Sequence, residues 1–181
     1  MKTAALINHE ERTICTLPEG GRISPYDTRY YEQVKTLVTG IQSDELGSGI
    51  TFEEQYDLQD IPGTYLKGKG NFWLALQGNE VIGTIGFIDL GSHMGSLKKM
   101  FVKSAYRGKA KAVAHNLLAC LLLWAGENGF KHIYLGTGPT LHAAHRFYEK
   151  HGFELLDDKA IPRAVLDTLV RVDTRRYYKA I

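Results

Sequence analysis

Three basic side chains lie within a short stretch of small residues, 104–112. They are Arg107, Lys109 and Lys111, and the stretch separates a predicted strand, 97–102, from a predicted helix. The first turn of a helix has unpaired backbone N–H groups and the positive end of the helix dipole, so backbone and side chains both favour an anion. The sequence therefore predicts a phosphate-binding turn, although a basic loop without a ligand has the same composition.

Length, charge and cysteine content limit the class of protein. The chain has 181 residues, which predicts one domain, and a net charge of +2, which does not favour nucleic-acid or membrane-surface binding. Cys15 and Cys120 are too few for a disulfide framework and predict reduced thiols in a cytoplasmic protein. The first residues lack the apolar core of a signal peptide, and the longest apolar run, 117–125, is too short to cross a bilayer.

The elements that must position the basic turn follow from hydrophobic periodicity. The pattern predicts strands near 22–24, 71–77, 81–89, 97–102, 131–135, 153–156 and 165–174. It predicts helices from Asp27 or Thr28 to about 46, and at 52–58, 109–128 and 140–151. The strands at 71–77 and 81–89 form a hairpin, and the unit 97–135 is a strand, a helix and a parallel strand. These elements define an α+β domain.

Three segments together resemble the acetyl-coenzyme A site of the GNAT N-acetyltransferase superfamily. They are 97–102, 106–112 and 142–153, and the last reads His-Ala-Ala-His-Arg-Phe-Tyr-Glu-Lys-His-Gly-Phe. The resemblance implies a mixed, mostly antiparallel twisted sheet of about six or seven strands with about four helices, and a splayed parallel strand pair at the cofactor site. It also implies a single domain over 1–181, with 1–18 as an N-terminal extension and 97–153 as the acetyl-coenzyme A-binding core.

The resemblance assigns roles to individual residues. Met100, Phe101 and Val102 are expected at the cofactor, with the backbone amides of Met100 and Val102 binding the pantetheine arm and polarising the thioester carbonyl. The pyrophosphate is expected on the turn that comprises Arg107, Gly108, Lys109, Ala110, Lys111 and Ala112. Tyr148 is expected to act as the general acid that protonates the departing thiolate. On spacing alone, Tyr148 is a core aromatic, and the motif is what favours the catalytic role.

The sequence departs from the family pattern at three positions. Ala110 replaces a usual glycine, which is harmless if its φ is negative and unfavourable if its φ is positive. Leu141 replaces a frequent asparagine, so that the polar contact of this residue is either missing or supplied elsewhere, with Thr137 and Thr140 as candidates. Ser96 replaces a glutamate that serves as the base in some members, and the general base is therefore not carried over.

Several other side chains have the chemistry of a general base, but a solvated surface position is favoured for each of them and none is assigned as catalytic. These are Glu53, Glu54, Asp57, His93, His142 and His145. The tandem Glu53-Glu54 could instead attract a cationic acceptor. His142 and His145 with Glu149 do not have the spacing of a His-Glu-x-x-His zinc motif, so no metal is expected.

The leading hypothesis is an N-acetyltransferase that moves acetyl from acetyl-coenzyme A to the primary amine of a small molecule or peptide, by direct attack in a ternary complex. The alternative is an idle acyl-coenzyme A-binding or sensing module. A nucleic-acid-binding domain conflicts with the near-balanced charge, and a P-loop nucleotidase lacks its motif. A homodimer is compatible with the free sheet edges of such domains.

Overall fold

The computed structural model describes residues 14–181, and the part of the predicted N-terminal extension before residue 14 lies outside the described residues. Eight strands form one sheet in the order β1-β2-β3-β4-β5-β6-β8-β7. The strands are β1 (Cys15–Thr16), β2 (Arg22–Pro25), β3 (Asn71–Gln77), β4 (Glu80–Asp89), β5 (Met94–Val102), β6 (His132–Thr137), β7 (Glu154–Leu155) and β8 (Arg175–Ala180). The α-helices are α1 (Tyr31–Gly40), α2 (Tyr56–Gln59), α3 (Ile61–Tyr65), α4 (Val113–Glu127), α5 (His142–Lys150) and α6 (Arg163–Leu166).

The sheet is antiparallel except at one place. β5 and β6 run parallel, because α4 carries the chain back across the sheet between them. All other neighbouring strands pair antiparallel. The predicted α+β class, with a mixed and mostly antiparallel sheet and one parallel pair, is confirmed, and the described residues contain eight strands and six α-helices.

Helices cover both faces of the sheet. α4 contributes Leu117, Leu118 and Leu121 to the larger core on one face. On the other face, Val34 and Val38 of α1 belong to a second core, to which α2 and α3 also contribute. Both faces of the sheet are therefore buried, whereas α4 itself still exposes Leu123 on its outer side.

The first helical region begins at a capping residue, as predicted. The Asp27 side chain accepts a hydrogen bond from the Arg29 N–H and caps the 3-10 turn Thr28–Tyr30, which leads into α1. After α1 the chain continues as a π-helical turn, Ile41–Glu45. This turn brings residues from the end of the helical region to the edge of the candidate site.

Two predictions of secondary structure were wrong. The helix predicted from 109 begins at Val113, because residues 108–112 form a turn closed by a hydrogen bond from Ala112 N–H to Gly108 O at 3.1 Å. The strand predicted at 165–174 is instead α6 followed by turns, and the final strand is β8. The segment does not extend as a strand because Val170 N–H donates to the Asp173 carboxylate at 3.1 Å and Asp173 N–H donates to Val170 O at 2.9 Å, which folds it locally.

No helix within residues 14–181 is long and apolar enough to span a bilayer.

Candidate active site

A gap between β5 and β6 opens at the middle of the sheet. The two strands pair only from Met94 opposite His132 to Leu97 opposite Leu135, and β5 then continues to Val102 without β6 beside it. The resulting free edge of β5 faces a cavity. This separation is the splayed parallel pair expected from the family resemblance.

Backbone N–H groups of β5 point into this gap. Lys103 N–H donates to Ile82 O on β4 at 2.9 Å. Because successive N–H groups of a strand point to opposite edges, those of Val102 and Met100 point away from β4. These are the two amides that the resemblance assigns to the pantetheine arm, and their direction is compatible with that role.

A β-bulge lies at the same place on β5. Thr84 pairs with Phe101 and Gly86 with Lys98, so that one residue of β4 opposes two residues of β5. Lys99, at the bulge, has a φ of +50°, and its carbonyl accepts a hydrogen bond from Thr84 Oγ1 at 2.7 Å. The bulge interrupts the alternation of side chains, and Lys98 and Lys99 both extend to the face that carries α2 and α3.

The cavity beside the free edge has a volume of about 270 Å³. Its walls come from the π-helical turn and the loop after it, the end of β5, the end of β6 with the following loop, α5, and the segment before β8. The charged side chains on its wall are Lys98, Lys99 and Asp173. A Cβ on Gly136 would lie 2.6 Å from the Asp173 Cβ, so glycine at the end of β6 is what lets Asp173 approach the sheet.

Tyr148 of α5 also lines this cavity, and its side chain is buried. Its hydroxyl lies 3.5 Å from Met100 Sδ on the free part of β5. Burial, and secondly the negative charge of Asp173, raise the pKa of Tyr148 well above the ordinary value of 10.0. The phenol therefore keeps its proton at neutral pH, which is the form that a general acid needs.

The two lysines of the bulge each have a carboxylate partner. Lys99 Nζ lies 3.2 Å from Asp57 Oδ1 and donates to Gln55 Oε1 at 2.7 Å. Burial lowers the pKa of Lys99, while the Asp57 charge opposes this shift. Lys98 Nζ donates to the backbone oxygen of Thr168 at 2.7 Å and lies 3.4 Å from Asp173 Oδ2.

The turn after β5 has several unused backbone N–H groups. Arg107 N–H donates to Ser104 O and Ala112 N–H to Gly108 O, whereas no backbone partner occurs within residues 14–181 for the N–H groups of 108–111. The N–H groups of the first turn of α4 follow directly. Ala110 does not have a positive φ, but Ala112 does, at +53°. The strained position of the turn is therefore Ala112.

The basic side chains of the turn are partly engaged within the protein. Arg107 Nε donates to Val102 O at 2.7 Å, and Arg107 Nη1 lies 2.7 Å from Glu45 Oε2 at the end of the π-helical turn. Lys111 forms an ion pair with Glu19. All four charged side chains are at least partly exposed, so both pairs are weak in water.

None of the six general-base candidates from the sequence lies on the cavity wall. Asp57 is buried against Lys99, Glu54 pairs with Arg171 at 3.2 Å, and Glu53 is exposed. His93 contacts Gly129 O at 2.8 Å, near the opposite end of β5. The remaining candidates, His142 and His145, lie on α5, where His145 Nε2 is 2.9 Å from Gly138 O.

Four other residues that the sequence singles out have defined positions. Leu141, Thr137 and Thr140 all line the cavity, so both threonines are close to the place where the family asparagine is expected. Ser96 is buried beneath them, with Oγ 3.1 Å from Thr168 Oγ1. In the part of the chain that the structure describes, no group of three or more His, Cys, Asp or Glu side chains could hold a metal ion.

Sequence reasoning missed Lys98, Lys99 and Asp173. Two adjacent lysines inside an otherwise apolar strand indicate a special site. Alternation would place one of them in the interior, and a buried lysine needs a partner of opposite charge. Asp173 gave no signal, since the segment around it has the alternation of a strand with charged residues on its outer face.

A family model for the GNAT acetyltransferases matches residues 38–153, and the chain belongs to this family. Among solved structures, an acetyltransferase of the GNAT family from Staphylococcus aureus Mu50 has a TM-score of 0.84 and 33% identity, covering 89% of this chain and 99% of that one. An acetyltransferase from Streptococcus agalactiae has a TM-score of 0.84 and 28% identity, with coverage of 90% and 99%.

Curated relatives match over part of their length. N-acetyltransferase family 8 member 2 of Rattus norvegicus is 30% identical over 105 residues, which are 55% of this chain and 46% of that protein. N-acetylaspartate synthetase of Xenopus tropicalis is 35% identical over 102 residues, or 54% of this chain and 36% of that protein. The matches therefore span less than half the length of these relatives.

PaiA N-acetyltransferase from Thermoplasma acidophilum, solved in complex with coenzyme A, shares the fold at a TM-score of 0.66 and 16% identity.

Proposed function

We propose that this chain transfers the acetyl group of acetyl-coenzyme A to a primary amine, by direct attack of the amine within a ternary complex. The observation that carries the proposal is the free edge of β5, which opens into a cavity that also contains Tyr148. Membership of the GNAT family and relatives named as N-acetyltransferases support an amine as acceptor. The choice of acetyl over other acyl groups comes from the family resemblance.

The residues present fit a coenzyme A thioester. The N–H groups of Met100 and Val102 point into the gap and are available to the pantetheine arm, which has amide groups of its own. The free N–H groups of 108–111 and the start of α4 suit the pyrophosphate, with Lys109 exposed beside them. Ala110 does not obstruct this arrangement, because its φ is not positive.

Each cavity residue then has a chemical task. Acetyl-coenzyme A supplies the activated thioester. The Met100 N–H is placed to stabilise negative charge that develops on the thioester oxygen, and Tyr148 is placed to give its proton to the departing sulfur. The raised pKa of Tyr148 keeps the phenol protonated before each turnover but also makes it a weaker acid, so the proposed role rests on the position of the hydroxyl in the cavity.

The second candidate is an acyl-coenzyme A-binding module without turnover. It is favoured by one observation, that none of the six side chains first considered as the base lies on the cavity wall. It predicts cofactor binding that no amine converts into thiol release.

Thiol release from acetyl-coenzyme A tests both candidates. The acceptors are amino acids, amino-acid amides, polyamines, aminoglycosides and short peptides, and coenzyme A binding is measured separately by calorimetry. Turnover with at least one amine supports the transferase, and normal cofactor binding without turnover across the whole panel supports the binding module.

A pair of tyrosine variants tests the role of Tyr148. Tyr148→Phe is expected to lower kcat by about 10²- to 10⁴-fold, the range for loss of a general acid, with cofactor affinity unchanged. Tyr134→Phe is the matched control, because Tyr134 is also buried but lies in the small cluster with Ile161 and Val165. Full activity of Tyr148→Phe would remove the proposed role.

A further inference from the structure

From the paired charges on the cavity wall we infer that the acceptor is a free α-amino acid, whose carboxylate binds Lys98 and whose ammonium group binds Asp173. This inference rests on the proposed function, since it names the amine that enters the same cavity. It concerns a side-chain pair that the family motifs do not include.

Both members of the pair are built into the wall. Lys98 and Asp173 are only 8% and 9% exposed, and both line the cavity. Lys98 Nζ is anchored to Thr168 O at 2.7 Å, and Asp173 Oδ2 accepts from Val170 N–H at 3.1 Å. The direct contact between the two charges is longer, 3.4 Å. Each charge therefore has one hydrogen bond to the protein backbone in addition to their mutual contact.

The charge balance of the cavity argues against a purely cationic acceptor. Lys99 is compensated by Asp57, outside the cavity wall, at 3.2 Å. Asp173 is the carboxylate on the wall and compensates Lys98. An ammonium group that binds Asp173 leaves Lys98 as a buried cation without its partner, which is unfavourable. A zwitterion avoids this cost, because its carboxylate replaces Asp173 beside Lys98.

The spacing of the pair selects the kind of zwitterion. Lys98 Nζ and Asp173 Oδ2 are adjacent, 3.4 Å apart, so the acceptor charges must also be adjacent. In an α-amino acid the amine and the carboxylate are bonded to the same carbon atom. A peptide N-terminus lacks this carboxylate, and an ω-amino acid holds it several bonds away.

The arrangement also accounts for the protons. The ammonium group gives one proton to Asp173 and becomes a nucleophile. Its nitrogen forms the bond to the acetyl carbon as the carbon–sulfur bond breaks, and the leaving thiolate takes the proton of Tyr148. The nitrogen then loses its second proton, which restores the Tyr148 phenol, and Asp173 returns its proton to water.

The test compares acceptors that differ only at the carboxylate. Leucine, leucinamide and 3-methylbutylamine form one series, and matched series are made for other amino acids so that the side chain does not decide the result. β-Alanine and 4-aminobutanoate test the spacing. We expect kcat/KM for the best α-amino acid to exceed that for its amide and its decarboxylated amine by at least about 100-fold.

Variants assign this preference to Lys98. Lys98→Met is expected to reduce the ratio of acid to amide to below about fivefold by lowering turnover of the acid. If Lys98→Met folds poorly, Lys98→Gln is the second variant, because its neutral amide group can still donate to Thr168 O, and it is expected to show the same loss of preference. Lys131→Met, an exposed lysine just before β6, is the control and keeps the preference.

The outcomes separate the two proposals. Thiol release with amides, polyamines or peptides at rates equal to or above those with α-amino acids overturns the inference and leaves the transferase intact. An unchanged preference in both Lys98 variants also overturns it. Absence of thiol release with every acceptor, despite normal coenzyme A binding, overturns the proposed function itself.

Discussion

Lys99 Nζ lies 3.2 Å from Asp57 Oδ1, and both side chains are almost completely buried on the face of the sheet that carries α2 and α3. The other oxygen of Asp57 accepts a hydrogen bond from the Tyr65 hydroxyl at 2.7 Å. A buried pair of this kind contributes little net stability, but it leaves an uncompensated charge when one partner is removed. The pair therefore fixes α2 against the bulge of β5.

Asp57→Asn is expected to lower the free energy of unfolding by about 3–5 kcal/mol, because Lys99 then has no counter-charge in a buried site. Urea denaturation followed by circular dichroism measures this change. Asp167→Asn removes the exposed carboxylate that pairs with Arg163 at 2.9 Å and is expected to change stability by less than about 1 kcal/mol. Equal effects of the two variants would contradict the buried-charge explanation.

Ala112→Gly is expected to raise the free energy of unfolding by about 0.5–1 kcal/mol. A left-handed conformation costs a non-glycine residue about 1–2 kcal/mol, and the greater freedom of glycine in the unfolded chain offsets about 0.5–1 kcal/mol of the gain. Ala110→Gly, two residues earlier, is the matched control and is expected to lower stability, since Ala110 has no positive φ to relieve. The prediction fails if both substitutions change the free energy of unfolding in the same direction.

Tyr148 makes stability depend on pH in alkaline solution. Burial, followed by Asp173, raises its pKa above the ordinary value of 10.0, so the folded protein keeps this proton after the unfolded chain has lost it. The contribution is complete below pH 10 and decreases at higher pH, by about 1.4 kcal/mol per pH unit. Tyr148→Phe should flatten the alkaline decrease in unfolding free energy by this amount. A slope identical to that of the wild type would show that the phenol ionises normally.

Glu45→Gln is expected to increase the affinity for coenzyme A by up to about fivefold at low salt, because it releases Arg107 for the pyrophosphate. Isothermal calorimetry measures the change, and added salt should reduce it. Glu127→Gln, at the other end of α4, changes net charge equally and is expected to leave the affinity unaltered. Weaker binding by Glu45→Gln would mean that the ion pair orients Arg107 for the ligand.

Much of the fold follows from local sequence. The hairpin of β3 and β4 and the strand–helix–strand unit of β5, α4 and β6 have long, regular hydrophobic patterns, and the structure confirms both. Asp27 likewise marked the beginning of the first helical region. These elements were predictable because each is specified by residues close to one another in the chain.

The cavity wall was not predictable in the same way. The roles of Lys98 and Asp173 depend on a bulge, on the gap beside β6 and on a turn 75 residues later in the chain. The prediction of a strand at 165–174 was wrong for a related reason, since a hydrogen bond from Val170 N–H to the Asp173 carboxylate folds this segment despite its alternating pattern. The local sequence pattern does not specify which carboxylate pairs with a lysine that is far away in the chain. The motif, and not its helical spacing, is what singles out Tyr148 from the core aromatics, and its catalytic role stays a prediction.

The π-helical turn Ile41–Glu45 contacts both parts of the candidate site, the basic turn and the cavity. Glu45 holds Arg107 beside the basic turn, while Gln42 and Leu46 form part of the cavity wall. A ligand on the basic turn that displaces Glu45 therefore acts on the same short segment that borders the cavity, where the acceptor is proposed to bind. Thermodynamic linkage requires any resulting effect to be mutual, so that an acceptor favoured by the bound cofactor favours cofactor binding by the same factor.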